Sequence, residues 1–71
     1  MNEKPDEKFR RVAAKRVERV LHEIQLIGNL GSRTHYDYSQ EQVDRIFNAL
    51  EEEIKSARSR FSVKRAKRFV L

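Results

Sequence analysis

Tyr38-Ser39-Gln40-Glu41-Gln42-Val43 is the stretch on which the reading of this chain turns. Ser39 and Gln42, three positions apart, form a capping box, in which each side chain satisfies a backbone N–H that the first helical turn leaves open. Tyr38 before the cap and Val43 at the fourth helical position add a hydrophobic staple that fixes how the chain enters the helix. From Val43 onward the apolar residues Phe47, Leu50, Ile54, Ala57 and Phe61 recur at spacings of four, three, four, three and four. That period belongs to an amphipathic helix with a coiled-coil-like seam. It predicts a helix over about residues 40–60.

Upstream, Ala13, Val17, Val20, Ile24 and Ile27 keep the same alternation, with Phe9 and Val12 on its flank. Asp6 is a good N-cap type, Glu7 follows where the helix dipole favours acid, and Pro5 lies where a helix start tolerates proline. The helix is expected over about residues 6–29, ending at Gly28 or Gly31 through a left-handed glycine. A loop of about residues 30–39 joins the two stripes. The expected fold is all-α: an antiparallel helical hairpin over residues 1–61, followed by a basic segment over residues 62–71. Folding back would set Glu51, Glu52 and Glu53 near Arg10, Arg11, Lys15 and Arg16, a pattern that favours one orientation although each exposed pair contributes under about 1 kcal/mol.

Seventy-one residues make a single small domain. A chain of this size hides only about 60% of the surface that its unfolded form exposes, so such domains lean on disulfides, a metal or a partner. Cysteine is absent, which removes disulfides and thiolate metal sites together. His22 and His35 are too few for a histidine cage, so no cofactor is expected and partnership is the remaining supplement. The hairpin leaves Leu21, Leu26 and Leu30 outside its seam, and two hairpins closing into a four-helix bundle would bury them as a homodimer interface. No apolar run reaches the ~20 residues of a membrane span, nothing resembles an export signal, and the default compartment is the cytoplasm.

Charge is divided unevenly. The net charge is +5, yet the last fourteen residues carry Arg58, Arg60, Lys64, Arg65, Lys67 and Arg68 with no acid at all. After Phe61 the stripe shifts: Val63, Ala66, Phe69 and Val70 share a face opposed to the cations. Ser59 or Ser62 is placed to cap a fresh short helix there, or the segment is a tail that orders on binding. Six cations without an acid fit an electrostatic grip on nucleic-acid phosphates, RNA or DNA alike. The loop Gly31-Ser32-Arg33-Thr34-His35-Tyr36-Asp37-Tyr38 adds Arg33 and His35 as candidate contacts, while Tyr36 is expected to cover Leu26 and Leu30. A lipid-surface helix ranks lower because the apolar face is short.

Catalysis is not expected. His35 and Asp37 lack a pocket and a nucleophile, no glycine-rich phosphate loop or His-x-x-x-His pair occurs, and Glu51, Glu52 and Glu53 run around the helix and cannot converge on one ion. The segments Arg16–Leu21, Leu26–Leu30, Tyr36–Ser39 and Val43–Phe47 resemble small uncharacterised helical proteins of bacterial plasmids and phages, over about residues 9–61. The resemblance implies a mobile-element setting and brings no site residues. In plan the chain is similar to helical-hairpin dimers that bind RNA in plasmid copy control. The sequence therefore predicts a non-catalytic nucleic-acid-binding accessory protein. The alternative is a protein-interaction module, an adaptor or inhibitor, that docks on an acidic or helical partner.

Overall fold

The computed structural model describes residues 2–67, with side chains over residues 2–62. It contains two units, Met1–Asp37 and Tyr38–Leu71. The first holds α1, Pro5–Gly28, continued by a single 3₁₀ turn at Asn29–Gly31; the second holds α2, Gln40–Lys67. There is no strand among the described residues.

α1 begins earlier than Asp6. Pro5 occupies the first helical position, where its fixed φ suits the helix and its missing N–H costs nothing, and extended Lys4 is the cap residue. The Glu7 carboxylate accepts the Lys4 backbone N–H at 3.3 Å. Lysine has no side-chain acceptor to return the bond, so only half of a capping box is formed. Asp6 and Glu7 instead lie in the first turn, where their charge favours the exposed N–H groups. Arg10 pairs with Asp6 at 3.6 Å, one turn on. Arg11 reaches back past the helix start and donates through Nε and Nη2 to both Glu3 oxygens, at 3.0 and 2.9 Å.

α1 ends at Gly28 and its 3₁₀ continuation at Gly31, the two expected positions, but not through a left-handed glycine. Gly28 keeps ordinary helical dihedrals, φ −60° and ψ −31°, and neither glycine adopts positive φ. The Asn29 N–H is shared between the Gln25 and Leu26 carbonyls, so the helix tightens into 3₁₀ geometry before it stops. It terminates when Ser32 turns extended, at ψ 107°. The Ser32 carbonyl then accepts from His35 N–H at 3.2 Å and from Tyr36 N–H at 3.0 Å, which closes the turn after the helix.

α2 starts as the sequence predicts. Ser39 N–H donates to Gln42 Oε1 at 2.9 Å, and Gln42 N–H donates to Ser39 Oγ at 3.1 Å. Tyr38 and Val43 are half-buried while residues 39–42 between them are exposed, as a staple requires. The other end runs past residue 60. α2 continues without interruption through Phe61 to Lys67. Ser59 and Ser62 do not cap a new helix: their hydroxyls donate back to the carbonyls of Ser56 and Ser59, at 2.7 and 3.4 Å, a bond available to serine inside a helix.

No described residue is buried. In α1 the least exposed positions are Val12 on the flank and Ala13, Ile24 and Ile27 on the predicted stripe, whose Val17 and Val20 stay exposed, and in α2 they are Val43, Leu50 and Ala57 on the predicted stripe. Phe61 remains 73% exposed and Ile54 60%. One helix cannot hide its own apolar face. Among the described residues no helix is long and apolar enough to cross a membrane.

Candidate nucleic-acid interface

α2 is divided electrostatically. Its acids, Glu41, Asp44, Glu51, Glu52 and Glu53, all precede residue 54, with Arg45 among them. From Lys55 to Lys67 every charged residue is a cation: Lys55, Arg58, Arg60, Lys64, Arg65 and Lys67. Such an order suits the helix dipole, acid near its N-terminus and base near its C-terminus, but that effect fades within a turn of each end. Arg58 and Arg60 lie about two turns or more from Lys67, so the dipole does not account for them.

The acid half answers its own cations locally. Glu41 pairs with Arg45 at 3.7 Å and Glu52 with Lys55 at 3.8 Å. Beyond Lys55 no acid is within reach along the chain, and Arg58 and Arg60 make no ion pair among the described residues. Both are exposed. Because the helix is continuous, the positions of these cations around it are defined. With about 100° per residue, positions 60 and 67 make one row and positions 58 and 65 another. The two rows flank the seam that ends at Phe61. Counting on in sevens, position 64 is the next seam position itself, so the apolar stripe runs directly into a cation. The shift read in the sequence after Phe61 is therefore a change of residue type within one helix. Arg68, and with it Phe69 and Val70, lies outside the described residues.

The loop candidates sit in the first unit. Arg33 and His35 belong to the exposed turn closed by the Ser32 carbonyl. The His35 ring meets Tyr36 edge-on, with centroids 6.4 Å apart and planes at 68°. Tyr36 is half exposed at 50%, and Leu26 and Leu30 remain 45% and 44% exposed, so the tyrosine leaves much of their surface open. Nor do the three interface leucines make one patch. Leu21 and Leu26 are five residues apart on α1, about 140° around its axis, and only Leu26 and Leu30 lie on the same side.

At the start of α1 the Glu3–Arg11 pair clearly alters the charge environment of both groups. The double hydrogen bond from Arg11 holds the Glu3 carboxyl below its ordinary value, with the guanidinium charge adding to the effect, and raises Arg11 in turn. Both groups are exposed, and the pair anchors the residues before Pro5 to the second helical turn. Compared with family models, with curated proteins and with solved structures, the chain matches none. The functional reading therefore rests on residues and charge.

Proposed function

We propose that this protein is a non-catalytic nucleic-acid-binding accessory protein that grips phosphates through the C-terminal half of α2. One observation supports the reading above others: from Lys55 to Lys67 a continuous helix carries six cations and no acid. Lys and Arg on such a surface release condensed counterions from a nucleic-acid backbone, which gives affinity with little sequence preference. The same reading places α1 and α2 as the arms of an antiparallel hairpin and takes the working unit to be a homodimer in a four-helix bundle, presenting two basic segments. Arg33 and His35 would add contacts at the loop end. A bacterial mobile element is its setting and the cytoplasm its compartment.

The test is an anisotropy titration against short duplex DNA, single-stranded DNA and structured RNA at two salt concentrations. Micromolar or tighter binding is expected, falling steeply with salt, and the order of the three ligands assigns the substrate class. Replacing Lys64, Arg65, Lys67 and Arg68 by glutamine should reduce the salt slope on duplex DNA by about 0.9 for each phosphate that is no longer neutralised. Binding that survives this change unaltered, or its absence at low salt in the parent protein, overturns the reading. In the second case the basic segment becomes a docking element for an acidic protein surface.

A further inference from the structure

As one continuous helix, α2 is charge-complementary to an inverted copy of itself. The seam positions are Val43, Phe47, Leu50, Ile54, Ala57 and Phe61. The positions flanking that seam on one side include Asp44, Glu51 and Arg58, and on the other Ile46, Glu53 and Arg60. Lay a second α2 antiparallel on the first, with the two-fold axis between residues 55 and 56. Seam layers then form between Leu50 and Phe61 of the other copy and between Ile54 and Ala57 of the other copy, each occurring twice. In an antiparallel coiled coil each flank meets its own equivalent. Glu51 thus meets Arg58 of the second copy, Glu53 meets Arg60, and both pairs repeat across the axis. No like charges oppose one another over this overlap, which spans about twelve residues, or about 18 Å.

A parallel pairing does not share this property, because it sets position 60 of one copy against position 65 of the other, arginine on arginine. The surface itself is open: Ile54 is 60% and Phe61 73% exposed.

We infer that two copies of this chain associate through antiparallel α2 helices, the acidic half of each lying against the basic half of the other. The inference takes the second copy from the dimer of the proposed function and specifies the face and direction in which the copies meet. Either charged flank is self-complementary alone. Arg58 and Arg60 then belong to the interface, and the outer cations remain for a ligand.

Charge reversal tests the inference without any nucleic acid. The variants E51R/E53R and R58E/R60E are weighed by sedimentation equilibrium, alone and mixed, with circular dichroism as a check that the helices persist. Each alone should dissociate at least about tenfold more readily than the parent, and the equimolar mixture should form heterodimers. Direction is read by disulfide trapping, which is clean because the chain has no cysteine. Mixing I54C with A57C protein under oxidation should give mainly the mixed disulfide. A monomeric parent protein, reversals that leave its mass unchanged, or I54C and A57C disulfides formed only between like chains overturns the inference. A dimer that passes these tests yet binds no nucleic acid retires the functional reading and leaves this one standing.

Discussion

Ser39 and Gln42 show how much of a helix start two side chains can specify. Each satisfies a backbone N–H that the first turn cannot, and the two bonds support one another. Ser39→Ala and Gln42→Ala should each cost about 1 kcal/mol in urea unfolding, and the double variant less than the sum, since either change alone undoes the box. At the start of α1 the determinant is the Glu3–Arg11 pair. Its hydrogen bonds depress the Glu3 carboxyl in the folded chain, so the pair contributes to stability above the ordinary carboxylate range. That contribution disappears as pH falls through the lowered folded value. A carboxyl-detected NMR titration should therefore find Glu3 titrating at lower pH in the parent protein than in Arg11→Gln. Equal values in the two proteins would show that Arg11 does not hold it.

At the scale of the element, the consequential feature is the continuity of α2 across Phe61. Apolar spacing alone makes residue 61 look like a boundary, because the residues that follow it on the seam are charged. Backbone hydrogen bonding does not depend on which face is apolar, and no proline or glycine interrupts residues 40–67. Val63→Pro separates the two possibilities. In a fresh helix capped by Ser62, proline at the first helical position would be harmless. In a continuous helix it removes the bond to the Ser59 carbonyl and clashes with it, so helicity measured by circular dichroism should fall by roughly the final turns of α2.

At the scale of the whole molecule, the two long apolar stripes and the basic helix end share one physical condition. Several large apolar side chains on both helices, among them Phe9, Leu21, Ile54 and Phe61, remain more than half exposed. The two proposals draw on different residues: the inner cations Arg58 and Arg60 would serve the copy, and the outer ones a ligand. On the two proposals, raising salt should weaken ligand binding far more than assembly, because the proposed assembly would also bury Leu50, Ile54 and Phe61.

Much of the secondary structure was legible in the residues themselves. Both helices, the capping box, the staple and the division of charge follow from interactions between residues within about four positions, which a sequence displays directly. The start at Pro5 was less legible because an aspartate one place on competes as a cap, and the glycines misled because a 3₁₀ turn can end a helix without positive φ. Of the candidate site, the cations were evident from composition, but their arrangement was not. The sequence by itself determined that two amphipathic helices form and where their charges lie along the chain. Only the three-dimensional structure decided that α2 is one rod, that its seam leads into a cation, and that Leu21 stands apart from Leu26 and Leu30. Position around a helix depends on an unbroken count of residues per turn, and the hydrogen-bonded backbone is what establishes that the count is unbroken.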